Sequence, residues 1–368
     1  MGRNSAVAFA LPMRNRFRGL TVREGLLVHG PAGWGEWSPF AEYERPEIDN
    51  WWRATLEAAN LGFPEPVRDR VPVNATVPAV DPETAYAIVA GSGCGTAKVK
   101  VAEPGQSGTE DASRLEAVRD ALGPSGRLRI DANGAWDVDT ALSRLAELAQ
   151  FGLEYAEQPC ATVDELAELR RLLARRGFQV PIAADESIRR SGDPERVVAL
   201  EAADIAVLKV QPLGGVRACL ELAERLGLPV VVSSALESSV GLAAGVALAA
   251  ALPELPYACG LNTATMFTMD VTDRPLVAVD GAIPVRTVSP DRHPCAAPTT
   301  ADRGPGAALS ATADRHLGVG RDLGSQPVVG GAQDVRADDW RAGPEATARW
   351  LARLGPMAEE LIEPGEGR

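Results

Sequence analysis

Residues 96–133 read TAKVKVAEPGQSGTEDASRLEAVRDALGPSGRLRIDAN, which is a strand-like run, an amphipathic stretch and a second strand-like run. Branched residues such as Val and Ile favour strands, whereas Ala, Leu, Glu and Arg favour helices. The same alternation recurs from about residue 71 to 262, and polar residues at the ends of successive runs lie 24 to 31 residues apart. This spacing is typical of a βα unit and predicts a parallel sheet with helices packed on it.

Eight strand-like runs follow this rhythm, which predicts a (β/α) barrel with its functional residues at the carboxyl ends of the strands. An open doubly wound sheet shares the rhythm, but no G-x-G-x-x-G follows a first strand to favour it. The predicted strands are VPVNATV (71–77), TAKVKV (96–101), RLRIDAN (127–133), LEYAEQP (153–159), PIAADE (181–186), ADIAVLKV (203–210), PVVVSSA (229–235) and YACGLN (257–262).

The regions outside this alternation of strands and helices are predicted to form further structural units. Residues 1–70 contain two strand-like runs and a helical run, EIDNWWRATLEAANLG (47–62), and we expect an α+β capping domain there. Residues 71–270 form the predicted catalytic barrel, and residues 271–368 a partly irregular segment that completes the cap. We assign no role to residues 290–340. The last helical run, EATARWLARL (345–354), presents a stripe that could dock on the first domain, made of Ala346, Trp350, Leu351 and Leu354.

Composition narrows the possible partners. The 368 residues carry a formal net charge of −13, which argues against nucleic acids and anionic membranes because both require a basic surface. The five cysteines are scattered and form no C-x-x-C pair, so we expect neither disulfides nor a zinc site, and a cytoplasmic location. The apolar run 240–252 is too short to span a bilayer and predicts a buried helix. The oligomeric state stays open.

Three acidic residues stand at the ends of consecutive predicted strands. They are Asp131, Glu157 and Asp185. A lone acid at such a position is usually a solvated loop residue or a helix cap, but three that converge at a barrel mouth would repel one another. A hard divalent cation relieves that repulsion, and oxygen-only ligation favours Mg²⁺, with Mn²⁺ as a possible substitute. Asn133 and Glu186 either support these ligands or face solvent.

Lysines flank the predicted cation site. Lys98 and Lys100 share one strand face, and Lys209 ends the predicted strand that lies across the barrel mouth from them. A lone K-x-K is more often a solvated face. Beside a cation, however, Lys98 would lower the pKa of Lys100, so that a neutral amine becomes available as a base. This arrangement suggests removal of a proton α to a carboxylate, with the cation stabilising the developing enediolate.

Six segments, in this order and spacing, resemble the muconate-lactonizing branch of the enolase superfamily over residues 5 to 285. They are TAKVKV (96–101), RIDANGAWD (129–137), AEQP (156–159), AADES (183–187), VLKVQPLGG (207–215) and SSALESSVGLAAG (233–245). The resemblance implies a (β/α)7β barrel with an α+β capping domain. Within the branch, CGLNTAT (259–265) and the compact N-terminal region resemble enzymes of menaquinone biosynthesis that dehydrate 2-succinyl-6-hydroxy-2,4-cyclohexadiene-1-carboxylate to 2-succinylbenzoate.

By this resemblance, Lys100 is the acid/base lysine and Lys209 the opposing one, while Asp131, Glu157 and Asp185 are the metal ligands. It also implies contacts to an anionic carboxylate substrate from Arg129, Ser233, Ser234 and Gly260, although helix capping accounts for the serines about equally well. In this branch, capping-domain loops such as LPMRNRFRGLT (11–21) set specificity. The sequence of one chain does not reveal which substrate such a loop selects.

Other functions stay open on the residues alone. N-acylamino acid racemisation, dipeptide epimerisation and a muconate cycloisomerase-like reaction would use the same acids and lysines. A Schiff-base aldolase built on Lys209 would be trapped by borohydride and would not respond to EDTA. A barrel that serves only as a binding scaffold is disfavoured, because all three acids and all three lysines are present.

Overall fold

A computed structural model describes residues 5–190, 194–291 and 339–362. The N-terminal part is a three-stranded antiparallel sheet with a helix packed against it. Its first two strands form a long hairpin in which Phe17 pairs with Leu20 across the tip. Its elements are β1 (Ser5–Phe17), β2 (Leu20–Gly30), β3 (Gly33–Trp37) and α1 (Glu47–Asn60).

Nine further strands follow within the described residues, seven of them in one parallel sheet whose strand order runs β5 to β11 in sequence. The first and last of the nine, β4 and β12, pair with each other in antiparallel fashion. The strands are β4 (Arg70–Pro72), β5 (Ala75–Val77), β6 (Thr96–Lys100), β7 (Arg127–Asp131), β8 (Leu153–Glu157), β9 (Ile182–Ala184), β10 (Ile205–Leu208), β11 (Val230–Val232) and β12 (Ala282–Pro284).

The sheet curls into a barrel because one extended segment joins its two edges. On one side, Gly260 N–H donates to the Val232 carbonyl at 2.8 Å, and on the other, Asn74 N–H donates to the Cys259 carbonyl at 2.9 Å. The run YACGLN therefore takes the eighth position in the ring, although it forms only isolated bridges there. The predicted barrel is confirmed, and the open doubly wound sheet is excluded.

Helices connect the strands and cover the sheet. Capping residues set where they begin: at α5, for example, Thr162 and Glu165 each accept a hydrogen bond from the other's backbone N–H. The helices after α1 are α2 (Pro82–Ala90), α3 (Gly108–Leu122), α4 (Val138–Leu148), α5 (Val163–Arg175), α6 (Glu186–Arg189), α7 (Glu195–Ala199), α8 (Val210–Leu213), α9 (Val216–Leu226), α10 (Ser239–Ala251) and α11 (Pro344–Ile362), with 3-10 turns at Ala149–Phe151 and Asn262–Met266.

Two helices test specific predictions. The apolar run 240–252 forms most of α10, which is buried along nearly its whole length as expected. None of the described helices combines the length and the hydropathy that crossing a membrane requires.

Helix α11 packs on the N-terminal sheet, where Trp350 meets Trp37 edge to face at 5.6 Å. The predicted stripe was wrong at one position, because Leu351 is 46% exposed while Leu354 is buried. Most of segment 290–340 lies outside the described residues.

Candidate active site

A cavity at the carboxyl ends of the barrel strands gathers most of the predicted site residues. The hairpin tip and a following loop of the N-terminal part form one wall, and barrel strand ends form the other. Three larger cavities among the described residues, around Arg170, around Asp270 and around Arg45, are lined by no lysine. The site cavity is lined by Phe17, Arg18, Phe40, Thr76, Lys98, Lys100, Asp131, Asn133, Lys209, Ser233, Ser234, Ala235, Leu236, Gly260 and Thr263.

The K-x-K pair of β6 faces the barrel interior. Lys98 is 7% exposed, and its Nζ lies 2.8 Å from both carboxylate oxygens of Glu157 and 3.5 Å from Asp131 Oδ2. Lys100 Nζ lies 2.6 Å from the same Asp131 oxygen. Strand register explains these contacts, since Lys100 pairs with Asp131 and Asp131 with Glu157 on neighbouring strands. The two lysines therefore do not form a solvated face.

Lys209 approaches the carboxylate cluster from the opposite flank. It directly follows β10, is 6% exposed, and places its Nζ 2.6 Å from Asp185 Oδ2. The other oxygen of Asp185 accepts a hydrogen bond from Arg189 Nε at 2.9 Å. The predicted placement of lysines on two flanks of an acidic arc is thus present. Each oxygen of Asp185 is paired with a positively charged side chain, one with Lys209 and the other with Arg189.

Burial and neighbouring charge shift the pKa values of these groups in different directions. Burial lowers the pKa of Lys98, but Glu157 and Asp131 outweigh it and hold that pKa above its usual value. For Lys100, burial together with the charge of Lys98 outweighs the attraction of Asp131, so its pKa falls below the usual value. Burial and the negative charge of Asp131 raise the pKa of Glu157 to about 7. Lys100 is thus the amine of β6 that loses its proton more readily.

Asp131, Glu157 and Asp185 have the donor chemistry of a hard-cation site. All three are buried and come from consecutive strand ends, and they offer only oxygen. Lysine ammonium groups pair with each of them, and in the described residues no three acids, histidines or cysteines converge as a metal cluster. Burial and, after it, the negative charge of Asp131 raise the pKa of Glu157, and a divalent cation would neutralise that negative charge. The residues present therefore fit such a cation.

Arg129 lies within the barrel and does not line the cavity. Its guanidinium is fully buried, donates from Nε to Glu154 at 2.5 Å and from one terminal nitrogen to the Ala258 carbonyl at 2.7 Å, and sits over the rings of Tyr155 and Tyr257. Because Arg129 is one pleat below Asp131, its side chain shares the inward face but not the height of the mouth. These contacts give it a role in holding the barrel together.

The predicted loop residues lie at the cavity. Ser234 Oγ accepts from Leu236 N–H at 2.7 Å and donates to Glu237 at 2.6 Å, so it organises its own loop. A Cβ at Gly260 would lie 2.6 Å from Ser233 Oγ, so a larger residue there would displace the Ser233 side chain. Asn133 is exposed, yet its side chain contacts Lys100 and donates to Glu186 at 3.2 Å.

The cavity also contains residues that the strand-end pattern did not predict. Phe17, Arg18 and Phe40 come from the N-terminal part, and Arg18 has the left-handed backbone of the hairpin tip, with φ 50°. Lys100 Nζ lies 5.5 Å from the centre of the Phe17 ring. Arg189 contacts Asp185 without lining the cavity, and its position one helical turn after Asp185 follows from i,i+4 spacing on a helix. The contribution of Phe40 has no signal in the sequence, because it depends on how two parts of the chain pack.

Comparison with known proteins agrees with this architecture. Residues 8–59 match the family model described as enolase N-terminal domain-like, and residues 82–294 match enolase C-terminal domain-like. Muconate lactonizing enzyme from Pseudomonas fluorescens has a similar fold, with a TM-score of 0.67 and 23% identity over 78% of this chain and 94% of that one. The L-Ala-D/L-Glu epimerase from Bacillus subtilis is similar at a TM-score of 0.65 and 22% identity, over 78% and 97% of the two chains.

Some relatives found by sequence are much more similar to this chain in sequence than these two structures are. The chain is 70% identical over 281 residues to o-succinylbenzoate synthase of Thermobifida fusca, which covers 76% of this chain and 87% of the relative. It is 56% identical over 284 residues to o-succinylbenzoate synthase of Mycolicibacterium smegmatis, covering 77% and 86%. The chain therefore belongs to the enolase superfamily and, within it, to the family of the o-succinylbenzoate synthases.

Proposed function

We propose that the chain catalyses the o-succinylbenzoate synthase reaction with Mg²⁺ as its cation and 2-succinyl-6-hydroxy-2,4-cyclohexadiene-1-carboxylate as its substrate. One molecule of water leaves by syn elimination, and the ring becomes aromatic 2-succinylbenzoate. The high identity to relatives of this name and the pairing of Lys100 and Lys209 on opposite flanks of the acids support the proposal.

Lys100 is the acid and base in this proposal. As a neutral amine it takes the proton from the ring carbon α to the carboxylate, and as an ammonium it returns that proton to the hydroxyl group, which departs as water. One residue suffices because both groups leave from the same face. The lowered pKa of Lys100, caused by burial and by Lys98, makes the neutral amine accessible.

Lys209 and Lys98 act through their charge. Lys209 lies on the flank opposite Lys100, where its ammonium stabilises negative charge that spreads into the ring and carboxylate as the proton leaves. Lys98 is held by Glu157 and Asp131 and keeps its proton. Asp131, Glu157 and Asp185 would hold the divalent cation, which supplies positive charge to the substrate carboxylate. Ser233, Ser234 and the Gly260 segment form the wall for the substrate's carboxylates.

The division of the chain belongs to the same proposal: residues 1–70 cap the site, 71–270 form the catalytic barrel, and 271–368 complete the cap. We also propose a cytoplasmic location and a role in menaquinone biosynthesis.

An ultraviolet assay for the aromatic product tests the function directly. Purified protein with Mg²⁺ and the cyclohexadiene acid should give an absorbance change that is absent with excess EDTA. A parallel assay for racemisation of an N-succinylamino acid tests the sister activity, which two opposed lysines also permit. Racemisation without dehydration would reject the proposal.

A further inference from the structure

The loop between β11 and α10 lines the cavity in a strained conformation. Ser233, Ser234, Ala235 and Leu236 form part of the wall. Leu236 has φ 66°, a left-handed backbone that a residue with a Cβ seldom adopts without support. Ser233 also contacts the end of β10, because the Ser233 N–H donates to the Leu208 carbonyl at 2.9 Å, next to Lys209. The shape of this loop therefore decides what meets the substrate beside Lys209.

Part of the support comes from within the loop. Leu236 N–H donates to Ser234 Oγ, and the side chain of Glu237 accepts from Ser234 and from Ala235 N–H at 2.6 and 2.8 Å. These bonds give partners to the N–H groups of Ala235 and Leu236. The carbonyls of the loop need separate donors, since buried carbonyls without partners are costly.

Arg23 of β2 supplies those donors across the boundary between the N-terminal part and the barrel. Its Nε donates to the Leu236 carbonyl at 2.9 Å, and a terminal nitrogen lies 3.5 Å from the Ala235 carbonyl and 3.0 Å from Ser38 Oγ. The guanidinium also sits 4.4 Å from the centre of the Phe40 ring, which lines the cavity. Arg23 is 2% exposed and is absent from the cavity wall.

Glu36 of β3 fixes the other end of the same loop. Its carboxylate accepts from Ser238 N–H and from Gly241 N–H, both at 3.1 Å, and from the Ser238 hydroxyl. Gly241 must be glycine, because a Cβ there would lie 2.8 Å from the Glu36 carboxylate. The loop is thus held at its carbonyls by Arg23 and at the start of α10 by Glu36.

We propose that Arg23 is a positioning residue for the reaction: by binding the Leu236 and Ala235 carbonyls, it holds the strained loop in the shape that presents Ser233 and Ser234 to the substrate. This inference rests on the proposed function for its catalytic consequence, but the hold on the loop is a property of the fold alone. Loss of Arg23 should weaken substrate binding and leave the cation site intact.

The test compares Arg23→Met with Arg119→Met. Arg119 is a matched control because its guanidinium also binds backbone carbonyls, those of Gly123, Gly126, Phe151 and Gly152, beside the starts of β7 and β8, away from the mouth. For each variant, hydrogen exchange of the 233–238 amides, kcat, KM and Mg²⁺ affinity by calorimetry are measured. Arg23→Lys, which keeps the charge and one donor group, is the conservative variant.

In Arg23→Met, we expect exchange over 233–238 to rise about tenfold or more and kcat/KM to fall about 10- to 100-fold, mainly through KM. Mg²⁺ affinity should equal that of the unmodified protein. Arg119→Met should leave exchange over 233–238 and KM unchanged, and Arg23→Lys should lie between.

Unchanged exchange over 233–238 in Arg23→Met, or an equal rise of KM in Arg119→Met, would overturn the inference. If Arg23→Met does not fold, Arg23→Lys decides by the same two readouts. If the unmodified protein does not dehydrate the cyclohexadiene acid, the proposed function fails, while the exchange comparison still tests the hold of Arg23 on the loop.

Discussion

Lys98 and Glu157 form a buried ion pair in which one ammonium lies 2.8 Å from both carboxylate oxygens. This pair gives the two lysines of β6 opposite pKa shifts. Burial lowers the pKa of Lys98, but Glu157 and Asp131 reverse that effect, so the ammonium keeps its proton. Lys100 has a pKa below its usual value and is therefore the base in the proposed mechanism.

Replacing that base should abolish proton removal. In Lys100→Arg, a guanidinium takes the place of the amine and cannot accept a proton near neutral pH. We expect dehydration to fall by about 10³-fold or more, measured as the rate of aromatic product formation. The α-proton of the substrate should also fail to exchange in D₂O. Retained proton exchange in a folded, cation-binding variant would assign the base elsewhere.

Lys209→Arg should separate dehydration from racemisation. The substitution keeps the positive charge beside Asp185 but cannot carry a proton. Measurable dehydration should therefore remain, whereas racemisation of an N-succinylamino acid, which needs a proton carrier on each face, should disappear. Equal loss of dehydration in Lys209→Arg and Lys100→Arg would indicate that both lysines transfer protons.

Cation removal should stop the reaction reversibly. Excess EDTA should abolish activity, and added Mg²⁺ should restore it. Asp185→Asn should weaken Mg²⁺ binding by at least about tenfold, measured by calorimetry. Because Asp185 also pairs with Lys209 and Arg189, the free energy of unfolding without cation should fall by about 1–3 kcal/mol. Full activity in EDTA would contradict the cation site.

Stability should depend on pH through Glu36. Burial raises the pKa of Glu36 to about 7 from 4.5, so between these values the folded chain binds more protons than the unfolded chain. The contribution of protonated Glu36 to the free energy of unfolding is fully present below about pH 4.5 and is lost as pH rises through about 7. In urea titrations from pH 5 to 8, the free energy of unfolding should decrease with pH more steeply than in Glu36→Gln, by up to about 1.4 kcal/mol per pH unit.

Glu110→Gln is the control for this comparison. Hydrogen bonds from Ser107 lower the pKa of Glu110, so its substitution should alter the slope only at more acidic pH. The groups nearest Glu36 are Arg23, Glu237 and the hydroxyls of Ser38 and Ser238. Identical slopes in the unmodified protein and Glu36→Gln would show that Glu36 is ionised throughout this range.

Helix α11 should contribute to stability through one face only. Leu354 is 4% exposed and Leu351 is 46% exposed. Leu354→Ala should lower the free energy of unfolding by about 2 kcal/mol or more, whereas Leu351→Ala should change it by less than about 0.5 kcal/mol. Chemical denaturation of the two variants provides the measurement, and equal losses would mean that α11 does not dock as described.

The sequence alone determined the barrel and the charged side chains that gather at its mouth. Alternation of strand-like and helical runs is local, and strands in a closed parallel barrel place their carboxyl ends together, so Asp131, Glu157, Asp185 and the three lysines were predictable. Period two also placed Lys98 and Lys100 on one face. These signals depend only on neighbours along the chain and on the geometry of a strand.

Only the tertiary structure decided how deep each side chain lies and what it meets from distant segments. Arg129 shares the inward face with Asp131, yet its guanidinium pairs with Glu154 below the cavity, because strand periodicity specifies a face and not a height. The contact from Arg23 to the Leu236 carbonyl joins residues 213 positions apart. No pattern in one sequence encodes such a contact, because it arises from the packing of two segments that lie far apart along the chain.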